Sequence, residues 1–235
     1  MIQVRRDKDI YEKEGDWFRA RWHFSFDDYF DPENTSFGSL RVFNDDRLIP
    51  GAIWPLHPHR DIEGLTYVVE GTFQHADSLK GEDYPKLPAG SVQRMTLGSG
   101  SWHSEQNGSQ TEPMRFIQMW ILPNERGLPP SVEQRVFTKE DRTGRLLRVI
   151  APDDGDAVLV HQDASVYISH LPAGTGVAHQ LEPGSGLYLY LIEGDLELNG
   201  ERLTTGDAAK ISDEGEVRFE AAGQSELVMA EVRLG

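Results

Sequence analysis

The feature that most constrains this chain is an internal repeat. Tyr67-Val-Val-Glu-Gly71 returns as Tyr190-Leu-Ile-Glu-Gly194, 123 positions later, and at the same offset Gly51 lands on Gly174. Each copy is followed by a second glycine-centred element, PAGSVQRMT over 88–96 and TTGDAAKIS over 204–212. Self-similarity at one offset reads as one structural unit built twice. The unit is made of strands. SLRVFND (39–45), LTYVVEGTFQHA (65–76), SVQRMTL (91–97), MRFIQMWIL (114–122), LLRVIAP (146–152), VYISHLP (166–172), LYLYLIEGDLELN (187–199) and SELVMAEVRL (225–234) are rich in β-branched and aromatic residues. Glycine, proline, aspartate or asparagine bounds each of them. Helical periodicity is confined to SVEQRVFTKEDR (131–142), where a turn or two of helix is expected. Many short strands in two copies predict an all-β fold of two barrels or sandwiches. LPNERGLPPSVEQR (122–135) supplies the linker, which divides the chain into units at 1–125 and 126–235.

Composition narrows the function classes. The 235 residues carry a net charge of −16, which repels nucleic acid phosphates and disfavours direct nucleic-acid binding. No apolar run is long enough for a membrane span, and the first residues, MIQVRRDKDIYEKEGDWF, show no secretory h-region. The absence of cysteine removes disulfides and thiolate ligands, and a cytoplasmic protein is the simplest expectation. Two barrels in one chain make a monomer the expected state.

The chemistry concentrates in HPHRDIE (57–63) and SWHSEQN (101–107). Residues two apart on a strand point to one face. His57 and His59 therefore converge, as do His103 and Glu105. Three imidazoles and a carboxylate suit a divalent transition metal such as Fe, Mn, Co, Ni, Cu or Zn, with positions left open for substrate. Each piece alone reads better as a polar turn; the paired spacing favours a metal site. Glu63 is a second candidate for the carboxylate, and spacing does not choose between it and Glu105. In the second copy the positions of His57, His59 and Glu63 hold Gln180, Glu182 and Gly186, and His179 is one position out of register. The second unit is therefore expected to be metal-free. His75, His161 and His170 lack partners at ligand spacing and are expected to be satisfied or surface histidines.

The spacing Gly51, His57-x-His59, Glu63, then Gly90, Gly98, His103, Asn107 resembles the two motifs of the cupin superfamily. It departs by one extra residue before Gly71, by Thr96 in place of a proline, and by a gap to His103 that is longer by two. HPHRDIEGLTYVVEGTFQHADSLKG and PAGSVQRMTLGSGSWHSEQN, together with RWHFSFDDYFDP (21–32) and VHQDASVY (160–167), resemble pirin and its bacterial relatives over nearly the whole chain. The resemblance implies a bicupin, two tandem cupin β-barrels with metal in the first. It implies His57, His59, His103 and Glu105 as ligands, Glu63 in a supporting role, and one divalent metal, with Fe(II) first among the candidates. It implies oxidative ring cleavage of flavonols such as quercetin by dioxygen with release of carbon monoxide, Glu105 serving as general base, so the reading leans toward an enzyme. Trp54 and Met95 are expected to line its apolar pocket. The alternative implied by the same family is a non-catalytic, metal-dependent regulatory protein that binds protein partners as a redox sensor. An open pocket at the metal would favour the enzyme, and a plugged one the sensor.

Overall fold

A computed structural model of the chain describes residues 1–153 and 155–234. Two barrels are present, each a seven-stranded sheet closed over by a four-stranded one. In the first barrel the large sheet runs, in spatial order, Ser131–Val136, Ser91–Thr96, Glu63–Glu70, Met114–Ile121, Leu40–Leu48, Phe18–Trp22 and Tyr11–Glu14. Its small sheet is Ile53–His59, Ser101–Asn107, Thr72–Asp77 and Leu87–Pro88. The second barrel repeats the plan. Ser185–Glu193 stands where Glu63–Glu70 stands, Ala208–Ser212 where Ser91–Thr96 stands, and Gly176–Gln180 where Ile53–His59 stands.

The repeated glycine ends a strand at a tight corner. Gly71 sits at φ +78° between Glu63–Glu70 and Thr72–Asp77, and an added Cβ would collide with the Pro113 carbonyl oxygen. Gly194 makes the same corner at φ +118° against Ser225. Only glycine meets both demands without strain. The repeated tyrosines tie the barrels together. The Tyr67 hydroxyl donates to Glu226 of the second barrel at 2.7 Å, and the Tyr190 hydroxyl donates to Asp45 of the first at 2.7 Å.

Two strands cross the expected division at 125 and 126. Ile2–Arg5 pairs with Ala208–Ser212 of the second barrel, and Ser131–Val136 pairs with Ser91–Thr96 of the first. Each half thus lends a strand to the edge of the other's large sheet. The first half of 131–142 is this lent strand, and the expected turn of helix follows it. Only Lys139–Arg142 is helical, one turn closed by a capping box between Thr138 and Asp141. The pairing surface on Ser91–Thr96 outcompetes the weak helical periodicity of the segment.

The large sheets pack face to face. Phe24, Phe43, Tyr67, Ile117 and Met119 of the first meet Val149, Ile168, Tyr188, Val228 and Ala230 of the second in one buried cluster. The barrel interiors differ. The second is filled throughout, by Leu187, Leu189, Leu191, Val217, Phe219, Leu227 and Met229 among others. The first is apolar only at one end, around Leu48, Val68, Phe73, Met114 and Phe116. One step along the same strands, Phe116 gives way to Gln118, Val68 to Thr66, and Leu48 to Asp46 and Asn44. Buried polar groups are costly unless they are paired or used, so this end of the first barrel is the candidate site. Among the described residues no helix is long and apolar enough to cross a membrane.

Candidate metal centre

Ile53–His59 is the edge strand of the small sheet and pairs antiparallel with Ser101–Asn107. In this register His57 lies directly opposite His103, and His59 opposite Ser101. Alternation along both strands sends the three imidazoles to one face. Their ligand atoms lie within 4.8 Å of one another, and their ring centroids are separated by 4.4 Å (His57 and His103), 4.9 Å (His57 and His59) and 5.3 Å (His59 and His103).

The electronic state of the rings suits coordination. Burial, followed by the neighbouring imidazoles, lowers the His59 pKa to about 4 and the His103 pKa to about 3. Both rings are neutral at pH 7 and keep a lone pair for a metal. His57 Nδ1 lies 2.7 Å from the Pro55 carbonyl oxygen, so Nδ1 carries the proton and Nε2 is left to ligate. His103 Nδ1 lies 3.3 Å from Glu105 Oε1, while its Nε2 is buried with no hydrogen-bond partner. A buried, unpartnered imidazole nitrogen beside two others is what a metal would satisfy. The residues present fit a divalent ion.

The strand pairing shifts register between His103 and Glu105. Glu105 is thereby set against His103 and directly across from His75, and it lies outside the mutually close set of three imidazoles. Burial raises its carboxyl pKa, although His57, His75 and His59 pull the other way. Glu63 is on the opposite face, with Leu65 and Tyr67. It is fully buried and accepts hydrogen bonds from Thr96 Oγ1, His161 Nδ1 and the His161 amide, each at 2.7 Å. That position makes Glu63 a clasp holding the 161 turn to the first barrel, and it satisfies His161.

His75 had no ligand-spaced partner in the sequence, yet it stands close behind the centre, its ring centroid 6.0 Å from that of His103. It belongs to a buried chain. Gln134 Nε2 donates to Gln93 Oε1 at 2.6 Å, Gln93 Nε2 donates to His75 Nδ1 at 3.3 Å, and His75 Nε2 donates to Asp77 Oδ2 at 3.1 Å. Tyr84 donates to the same oxygen at 2.7 Å, and the amides of Leu79 and Lys80 hold the other. Asp46 escaped sequence reasoning entirely. It is buried, its Oδ1 is unpartnered, and burial together with Asp45 and Glu105 drives its pKa well above the usual carboxylate range. It shares a small cavity of about 40 Å³ with Glu105, His57 and Trp54. No spacing rule reveals such a residue, because Asp46 simply follows SLRVFND, which reads as an ordinary strand.

A cavity of about 880 Å³ opens on His57 and His59. Trp17, Phe18, Trp22, Phe26, Trp54 and Trp120 form its aromatic walls. Trp54 is where the sequence placed it. Met95 is buried and is not among the walls, a correction explained by its place on Ser91–Thr96, away from the edge strand. In the second barrel Val177 and Ala178 occupy the strand equivalent to Ile53–His59 and face Phe219 and Arg218. His179 there binds Glu231 at 2.8 Å and has no second imidazole.

Known proteins share this architecture. The family model described as pirin matches residues 3–121, and one described as quercetinase C-terminal cupin domain matches residues 148–232. The quercetin 2,3-dioxygenase of Escherichia coli (strain K12) is 37% identical over 231 residues, covering 97% of both chains. A pirin-like protein of Caulobacter vibrioides is 39% identical over 217 residues, covering 92% of both. The crystal structure of the bacterial pirin YhhW from Escherichia coli in complex with nickel(II) superposes with a TM-score of 0.93 at 34% identity, covering 100% of both chains. The chain is a bicupin and belongs to the pirin family.

Proposed function

We propose that the protein is a metal-dependent dioxygenase that opens the ring of a flavonol such as quercetin with dioxygen and releases carbon monoxide. The observation that carries this reading is the aromatic cavity of about 880 Å³ leading to His57 and His59. A cavity of this size takes a flat, drug-sized aromatic molecule. A sensor that only changed its surface with metal oxidation state would need no such approach. His57, His59 and His103 would hold the ion, with Glu105 as fourth donor; iron(II) is the first candidate, and manganese, cobalt, nickel, copper and zinc suit the same donors.

When bound, the ion supplies a positive charge that lowers the pKa of a coordinated hydroxyl and an open position for reaction. The protein's own groups do the rest. The tryptophans and phenylalanines of the cavity bind the flat rings and exclude water. Glu105, beside His103, takes the flavonol hydroxyl proton when its carboxylate is not held by the ion. The Pro55 carbonyl fixes the His57 tautomer. The relatives bearing the dioxygenase name support the substrate class.

The test is aerobic quercetin consumption by freshly metal-loaded protein, with carbon monoxide measured in the headspace, beside His57→Ala and Glu105→Gln. Turnover above free metal is expected in the parent. Either variant should retain less than about 1% of it, the loss of several kcal/mol of transition-state stabilisation. Metal-loaded parent that turns over no faster than free metal would contradict the proposal.

A further inference from the structure

At one end of the seam between the barrels, on the side of Tyr190, lies a second cavity of about 280 Å³. Four arginines, Arg19, Arg21, Arg47 and Arg115, line it against two aspartates, Asp7 and Asp45. The register makes the arrangement unusual. Arg19 pairs directly with Arg47, and Arg47 directly with Arg115, so three guanidinium side chains stand abreast on three adjacent strands, with Glu14 and Glu70 opposite the outer two and Arg47 between like charges on both sides. Like charges directly opposite one another destabilise a sheet. In a chain with a net charge of −16, such a row requires a reason.

Internal ion pairs account for only part of it. Arg115 is buried and binds Asp45 through both Nε (2.9 Å) and Nη2 (2.7 Å), and Tyr190 completes Asp45. Arg21 pairs with Asp7 and with Glu12, and Arg19 uses Nη2 on Glu12 at 2.7 Å. Both aspartates are thus engaged and offer no free charge to the cavity. Arg47 has no hydrogen bond or ion pair among the described residues. Arg115 Nη1 has only the exposed Glu193, 3.7 Å away, and Arg19 has its Nε and Nη1 to spare. At the other end of the seam, the Tyr67 tie is balanced by a single arginine, Arg142, on Glu226 at 2.9 Å. Asp7, Asp45, Glu12 and Glu193 match the four arginines in number, but Arg47 is left without a partner among the described residues.

We propose that this seam cavity is a binding site for a small oxyanion carrying at least two negative charges, of the phosphate or dicarboxylate type. Planar guanidinium forks match both chemistries. Arg47 and the free N–H groups of Arg19 and Arg115 supply the donors. Thr205 and Gly206 of the second barrel form the far wall, so an occupant would bridge the two barrels and stabilise their association.

The test is calorimetric titration of the full chain at low ionic strength with inorganic phosphate and, separately, with malonate, using chloride at matched ionic strength to cancel screening. Arg47→Glu alters an exposed side chain and leaves the core intact. Saturable binding of one anion per chain is expected, at least about tenfold weaker in Arg47→Glu, as the loss of a charge-assisted hydrogen bond gives, and unchanged in His57→Ala. Binding of phosphate alone assigns a phosphoryl ligand, and binding of malonate alone a carboxylate one. No saturation by either up to about 10 mM, which corresponds to less than about 3 kcal/mol of affinity, equal binding in Arg47→Glu, or loss of binding in His57→Ala would each overturn the proposal.

Discussion

The chemistry of this protein is set by where single side chains are denied water. His59 and His103 are ligand-ready because burial keeps them neutral. The same cause raises the pKa of Asp46, which has no hydrogen-bond partner at its Oδ1. Its folded pKa is raised above the unfolded value near 3.8. Above about pH 4 the unfolded chain therefore releases a proton that the fold retains, and stability falls as pH rises toward the raised pKa. Asp46→Asn should flatten that slope. In chemical denaturation of the metal-free protein from pH 5 to 8, the variant should gain on the parent as pH rises; a constant difference between them would contradict a raised Asp46 pKa. The sequence displayed the imidazoles plainly, since strand alternation makes HPH and HSE legible as pairs. It did not display Asp46 or the chain from Gln134 to Asp77, because those groups meet through pairing between distant strands. Nor did it separate Glu63 from Glu105. The face of the sheet does that, sending Glu63 toward the seam and Glu105 into the barrel.

Among the elements, the strands richest in Val, Ile, Leu and aromatics were legible, as was the repeat that relates them. The first strands, Ile2–Arg5, Tyr11–Glu14 and Phe18–Trp22, were not. They are short and carry four arginines and lysines and two glutamates, so their pattern reads as a solvated segment. What makes them strands is an edge offered by residues far along the chain. Ile2–Arg5 covers the edge of Ala208–Ser212, whose interior side chains would otherwise border an open sheet. Unpaired edges invite association with other chains. Removing residues 1–5 should therefore lower the melting temperature by several degrees, roughly the shift that about 1–2 kcal/mol produces in a domain of this size, and increase light scattering on heating. Unchanged melting and scattering would show that the lent strand is dispensable.

For the molecule as a whole, the decisive feature is one core shared by two barrels of different character. The second barrel is packed solid and gives the first a rigid wall; the first spends half of its interior on a polar site. Because the clusters of Phe43, Tyr67, Tyr188 and Val228 are continuous, calorimetry should record a single cooperative unfolding transition, and two separated transitions would contradict a shared core. Arg115→Ala should cost about 3–5 kcal/mol, since it strands the buried Asp45 carboxylate at the seam; a loss below about 1 kcal/mol in urea denaturation would show that Tyr190 alone suffices. The proposed function requires one metal, held by the three imidazoles, to face an aromatic substrate through the cavity beside it. The most direct measurement is anaerobic titration with cobalt(II), read by its visible d–d absorption, followed by addition of quercetin. One equivalent per chain, lost in His103→Ala, with bands that shift when quercetin is added, is the predicted result. Failure of the parent to take up one equivalent, or bands that quercetin leaves unchanged at saturation, would contradict it.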